Sequence, residues 1–316
     1  MTIGNALGQE PGSGLSTRRV KVTPAMCGSS ARLFGRIGDW TWDAVRGACG
    51  TDVYAARTPA GLPSYLSFYY FHVMAGPAFD PYRLTFGDEL EVTSRVLDLG
   101  AGSVLTLHRL AWDSAAVPPG DLDADEFYDR RRPGCAYVQN INRWVSRGSN
   151  PGNRALVAAT PADFRHTHLP KPPDRHSPRA ACAVARASAS FHPRGAPGFT
   201  PAGAERVSTY RLDPARDFNG VGLAYFAAYF SVIDGAVLEW WRESGRGDRE
   251  FLRRRVPDYR VGYFGNADVG ATLSIGLRPW RREGAPAEEI ADVVVREADT
   301  SRLLAVASVR LAPEES

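Results

Sequence analysis

Apolar runs along the chain are cut by Gly/Pro clusters into a short set of elements, and the set occurs twice. Ala31 to Ile37 is a short apolar stretch; Gly38-Asp39 then opens WTWDAVRGAC, whose spacing predicts a helix ending before Gly50. Pro63 to Val73, PSYLSFYYFHV, is aromatic-rich and strand-like. Strict alternation there puts Tyr65, Ser67, Tyr69 and Phe71 on one face and Leu66, Phe68, Tyr70 and His72 on the other. TFGDELEVTSRVLDLGAGSVLTLHRLAW reads as two strands joined by a Gly-rich turn, and AYVQNINRWVS (136–146) as another. In the second half, VGLAYFAAYF leads to Ser231, and VIDGAVLEWWRE predicts a helix stopping before Gly245. Pro257 to Phe264 follows. It superimposes on the first Pro segment without a gap: Pro63 on Pro257, Tyr65 on Tyr259, Tyr69 on Tyr263, Tyr70 on Phe264. VGATLSIGL (269–277) answers FGDELEVTS (86–94), and the terminal LLAVASVRL answers AYVQNINRWV.

Repeated matches in one order imply a duplication. The expected division is a mobile arm over residues 1–20, a first unit over 21–164, a Pro/Arg/Ala-rich linker over 165–206 and a second unit over 207–316. The predicted class is α+β, with each helix lying on a curved antiparallel sheet. A hot dog unit has this order, so the whole is a double hot dog in which one chain builds the usual dimeric unit. Residues near 37–49 and 232–244 are expected to be the two central helices, related by a pseudo-twofold.

Composition narrows the classes. A net charge of +3 does not imply nucleic acid as a partner, and Lys21 and Lys171 are the only lysines. Cys27, Cys49, Cys135 and Cys182 lie far apart, which argues against a disulfide framework or a zinc site and for reduced thiols in a cytoplasm. The run Leu62–Met74 is too short to span a bilayer and no secretion signal is recognised, so a soluble cytoplasmic protein without membrane partners is expected. Serine-hydrolase, NTPase, dehydrogenase and zincin motifs do not occur.

The blocks MCGSSARLFGRIGDWTWDAV (26–45), PSYLSFYYFHV (63–73), LTFGDELEVTS (84–94), SVLTLHRLAW (103–112) and DFNGVGLAYFAAY (217–229) carry a resemblance. The chain resembles the bifunctional acyltransferase/decarboxylase family of leinamycin biosynthesis. That resemblance implies a double hot dog fold and no cofactor. It also implies a reaction in which methylmalonyl-CoA acylates the protein, loses carbon dioxide and yields propionyl on an acyl carrier protein. A tyrosine takes the acyl group in that scheme, and Tyr65 is the position matched to it.

Such chemistry needs donors for a developing oxyanion. The free N–H groups of a helix start can supply them, and Gly38, Asp39 and Trp40 are expected there in the first half, Asp234 and Gly235 in the second. Asp39 also fits a simple N-cap. The tyrosines equally fit a packed core with satisfied hydroxyls. Tyr69, His108, Asn219 and Asn266 are candidate substrate contacts, although His108 also suits a structural strand position and both asparagines suit turns beside glycine. His166, His168, His176 and His192 are expected at the linker surface. Arg130 to Arg132, Arg253 to Arg255 and Arg281-Arg282 suit coenzyme A phosphates, an acidic carrier protein, or plain solvation. A thioesterase or dehydratase using Asp39 or Asp43, and a non-catalytic acyl or carrier-protein scaffold, are the alternatives. A homodimer of double units is the expected assembly.

Overall fold

The computed structural model describes residues 6–9, 14–112, 121–149 and 151–313. Its strands in chain order are β1 (Ala6–Gln9), β2 (Leu15–Lys21), β3 (Tyr65–Ala75), β4 (Glu89–Gly100), β5 (Ser103–Ala111), β6 (Cys135–Ser146), β7 (Val157–Ala158), β8 (Phe199–Pro201), β9 (Arg206–Arg211), β10 (Arg255–Tyr263), β11 (Thr272–Arg282), β12 (Ala285–Glu297) and β13 (Leu303–Ala312). The helices are α1 (Ser30–Cys49), α2 (Ala124–Tyr128), α3 (Arg179–Ser188), α4 (Ala228–Glu243) and α5 (Asp248–Leu252). One antiparallel sheet runs β1-β2-β4-β5-β6-β3-β10-β13-β12-β11-β8, with β9 also on β11 and β7 on β6. Around its centre the order is a mirror image: β3, β6, β5, β4 and β2 on one side answer β10, β13, β12, β11 and β9 on the other. This is the double hot dog expected from the sequence.

Both long helices lie on one face. In α1 the buried residues Leu33, Phe34, Ile37, Trp40, Thr41, Ala44, Val45 and Ala48 recur at three- and four-residue steps, giving one apolar stripe. The helix stops at Gly50, whose left-handed backbone (φ 68) sends its N–H to the Arg46 carbonyl at 3.0 Å. Phe34 meets Phe230 of α4 edge-on at 4.9 Å, and Phe71, Phe226 and Tyr259 complete the ring cluster between helices and sheet.

Several expectations need correction. The expected arm ends in a strand: its residues 15–20, with Lys21 of the first unit, form β2, paired with β4, and residues 1–5 and 10–13 of that arm lie outside the described residues. Both helices start earlier than expected, which puts Gly38, Asp39 and Trp40 inside α1 and Asp234 and Gly235 inside α4. A register shift between Phe68 and Tyr70 against β6 also breaks the alternation in β3. Phe71 therefore joins Phe68 on the helix side, while Tyr70 packs on the outer face with Leu105, Leu107 and Tyr137. The linker is not loose. Its helix α3 buries Cys182 and Ala185, His166 Nδ1 lies 2.8 Å from Asp98, and His192 Nδ1 lies 3.0 Å from Asp292, both histidines largely buried. Among the described residues no helix is long and apolar enough to cross a membrane.

Candidate active site

The strands β3 and β10 meet only from Tyr70 to Met74, although β3 pairs with β6 from Tyr65 onward. Beyond Tyr263 the second-half chain turns away, Phe264 and Gly265 donating their N–H groups to the Leu304 carbonyl. The sheet is therefore split between residues 65–69 and 263–266. A cavity of about 490 Å³ occupies that split and reaches both faces. Leu66 and Phe68 line it from the helix side; Tyr65, Ser67 and Tyr69 line it from the other.

The walls differ in chemistry. Trp42, Phe68, Tyr225, Phe226, Tyr229 and Tyr263 form an aromatic side, while Arg143, Arg154, Arg186 and Arg302 make the charge of the lining wholly positive. Arg154 and Arg302 are neutralised by Glu297, at 3.0 and 3.3 Å. Arg143 instead stacks its guanidinium on the Tyr69 ring, 3.6 Å from the centroid, and makes no ion pair among the described residues. No carboxylate or imidazole is among the described lining residues.

Tyr65 is half-buried at the first residue of β3. Arg147 donates from Nη1 to its hydroxyl at 3.5 Å; the guanidinium is itself fixed by Nε to Asn153 Oδ1 at 2.9 Å and Nη2 to the Val221 carbonyl at 2.8 Å. Asn153 donates in turn to the Gly222 and Ala267 carbonyls at 2.8 and 2.9 Å. These bonds strap the 219–226 segment over the cavity. Asn219 and Asn266 both line it and both help hold the strap: Asn219 Oδ1 accepts from Val221 and Leu223, and Asn266 pairs with both backbone groups of Ala224. Tyr69 lines the cavity as expected, its ring sandwiched by Arg143 and met edge-on by Phe264 at 5.6 Å.

The remaining expectations fall elsewhere. Inside a helix the N–H groups are bonded to carbonyls one turn back, so Gly38, Asp39 and Trp40 offer no free donors. Gly38 is where Phe226 packs on α1, Trp40 is core, and Asp39 is half-buried and paired with Arg36 at 3.1 Å. Burial still lifts the Asp39 carboxyl above its usual range, against the Arg36 interaction. Asp43 accepts from Arg18 and Tyr54 rather than lining the cavity. The helix start that does reach the cavity is that of α4, since Ala224, Tyr225, Phe226 and Tyr229 belong to its first turn and lead-in. His108 is fully buried away from the cavity, with Nε2 2.9 Å from Thr41 Oγ1 and Nδ1 2.8 Å from Ser94 Oγ; burial and Arg18 hold its pKa down near 3. Of the arginine clusters, Arg132 pairs with Glu126, Arg254 with Asp234, Arg281 with Glu289 and Arg282 with Glu288. Sequence reasoning missed Arg143, Arg147 and Asn153, which carry no motif; their only trace was a polar residue or arginine beside a strand otherwise bound for the core.

Tyr259, matched to Tyr65 in the sequence repeat, is not its structural equivalent: Tyr65 lies on the sheet face away from the helices, whereas Tyr259 packs with Phe34 and Phe230 on the helix side. Tyr259 is buried and donates to Asp234 Oδ1 at 3.2 Å; burial first, then the Asp234 charge, raises its pKa far above the usual phenol. Asp234 also accepts from Ser30 and from Arg254, the latter at 2.8 Å.

The sequence profile of the LnmK N-terminal hot dog fold domain matches residues 17–193. No curated protein matches the chain. Among solved structures, the putative oleoyl thioesterase of Lactobacillus plantarum aligns at 11% identity and TM-score 0.57, covering 97% of this chain and 99% of that one. The 12:0-ACP thioesterase of Umbellularia californica aligns at 10% identity and TM-score 0.55, covering 95% and 94%. At such identity the likeness is one of fold alone.

Proposed function

The chain belongs to the LnmK hot dog family, that of the leinamycin acyltransferase/decarboxylases, and we propose that it converts methylmalonyl-CoA to propionyl-acyl carrier protein through acylated Tyr65. The Tyr65 oxygen attacks the thioester carbonyl and coenzyme A leaves as the thiol, taking the phenolic proton. The bond to the carboxylate then breaks, carbon dioxide leaves, and its electron pair passes to an enolate that takes a proton from water. The carrier thiol finally takes the propionyl group and returns a proton to the phenol. In the first turn of α4 the Ala228 and Phe230 N–H groups already meet the Tyr225 and Ala227 carbonyls, so the N–H of the lining residue Tyr229 is the candidate backbone donor to the oxyanion.

One observation carries this reading: a cavity with an aromatic wall, an Arg143 without an ion-pair partner among the described residues, and a tyrosine whose oxygen receives a guanidinium donor. Arginines without a carboxylate partner suit the anionic parts of the substrate. Hydrolysis by a carboxylate or histidine base has no such group among the described lining residues, and Asp39 and Asp43 are engaged elsewhere. The test is incubation with methylmalonyl-CoA and holo acyl carrier protein, read by mass spectrometry. Propionyl carrier is expected. Free acid as the main product would instead support a thioesterase, and unchanged substrate a binding scaffold.

A further inference from the structure

Beneath α1, the helix-facing side of β5 and β6 carries a strip of buried polar side chains: Thr106, Asn140, Asn142 and, past them, Trp144. Asn140 is partly satisfied, donating to Thr41 Oγ1 at 3.0 Å. Asn142 is not. It is fully buried, and neither its amide nitrogen nor its oxygen has a partner. Trp144, two residues on and on the same face, is 2% exposed, lines the cavity, and has an equally unpartnered Nε1. Buried polar groups left unpaired are costly and rare in native proteins, and here one, Trp144, lines the cavity while its neighbour Asn142 lies paired with the wall residue Phe68, which points to an occupant.

We propose that Asn142 Nδ2 and Trp144 Nε1 bind an oxygen of the substrate's acyl group, fixing that end of the chain beneath α1. The inference rests on the acyl-CoA reading above and adds to it the residues that receive the acyl end. Phe68 pairs with Asn142 across the strands and stands in the cavity wall, its ring 4.0 Å from that of Phe226, so Phe68 is the partition an entering acyl group turns aside. Both donors are neutral and unspent, so they meet an incoming oxygen without breaking a protein bond first.

Two measurements test this. In the first, the Trp144 indole N–H resonance, assigned with Trp144→Phe, is followed while the protein is titrated with the dethia ketone analogue of propionyl-CoA, and separately with coenzyme A. A downfield shift with the ketone and not with coenzyme A is expected. If the ketone binds and the resonance stays put, or if coenzyme A moves it equally, the inference is overturned and the acyl-CoA reading stands; if neither ligand binds, both fall. In the second, Asn142→Leu removes the amide at nearly constant volume. Turnover should drop roughly 10²–10³-fold, mostly in kcat, with the melting temperature unchanged or raised because a buried unpaired amide is gone. A variant that turns over normally but melts lower would show that Asn142 only holds a structural water, and would overturn the inference.

Discussion

Arg147 stands over Tyr65, its guanidinium carbon 5.7 Å from the ring centroid and Nη1 3.5 Å from the phenolic oxygen. Tyr259, its match in the sequence repeat but on the helix side of the sheet, has the reverse relationship, since its hydroxyl gives its hydrogen to a buried Asp234 carboxylate. A cation donating to a phenol oxygen supports negative charge there, whereas a carboxylate accepting from it keeps the proton in place. Tyr65 thus has a donor at its oxygen and Tyr259 an acceptor for its proton.

Replacing Arg147 tests that polarity. Arg147→Met keeps the aliphatic stem but removes the donors to Tyr65, Asn153 and Val221. Acyl transfer should fall roughly 10²-fold, the usual scale for one charge-stabilising donor. Arg147→Lys should recover part of it, since the charge returns without the fork that fixes it. Steady-state kinetics that leave both variants at the parental rate would remove Arg147 from the account.

Gly38→Ala should lower stability although alanine is the better helix former. A Cβ there would press into the Phe226 ring, inside contact distance of Cζ and 2.8 Å from Cε1. Phe226 is hemmed in by Phe68, Phe71 and Tyr225, so it has little room to yield. A net loss of about 1–3 kcal/mol in urea unfolding is expected; a gain, as at an open helix site, would contradict the packing argument.

The same glycine explains where the sequence was and was not legible. Aromatic and β-branched runs made β3, β5 and β6 readable, and the likeness of Pro63–Tyr70 to Pro257–Phe264 exposed the duplication, although its gapless register is wrong because irregularities in β3 and β10 put Tyr65 and Tyr259 on opposite faces. Gly38-Asp39 looked like a helix start because glycine there is normally a turn; it is instead a close approach dictated by Phe226, a residue far away in sequence. Tyr65 was reached through the family resemblance and Tyr69 as a candidate on the same strand face, and both line the cavity. Arg143, Arg147 and Asn153 were not reached, since their meaning comes from the split between β3 and β10, which no local pattern encodes. His108 looked equally able to bind substrate until its two ring nitrogens were seen to be satisfied by Thr41 and Ser94.

His108 gives a pH signature. Its folded pKa lies near 3, below the ordinary value of 6.5, because burial disfavours the cation. The unfolded chain therefore binds the extra proton first, so this contribution to stability is complete above about pH 6.5 and shrinks as pH falls toward 3. At pH 5 it should have cost about 2 kcal/mol relative to pH 7. Urea unfolding of the parent and of His108→Gln at both pH values should show a shallower dependence in the variant; parallel slopes would mean that His108 is not the group responsible.

Asp234→Ala should be among the most destabilising single changes. It strips the carboxylate from Arg254, which is almost wholly buried, and from Ser30 and Tyr259. Leaving a buried guanidinium uncompensated costs about 3–5 kcal/mol. Chemical denaturation measures it directly, and a loss below about 1 kcal/mol would show that the Arg254 charge reaches water.

The central claim is that the Tyr65 oxygen carries the acyl group, and intact-protein mass spectrometry after brief exposure to methylmalonyl-CoA without carrier tests it most directly. The parent protein should gain the mass of one acyl group, mapped by peptide fragmentation to Tyr65. Tyr65→Phe removes the oxygen while keeping nearly all the ring's apolar area, and should melt like the parent, gain no mass and transfer orders of magnitude more slowly. An acyl adduct that persists on folded Tyr65→Phe, with transfer at the parental rate, would place the acceptor elsewhere, Tyr69 first, and contradict the account.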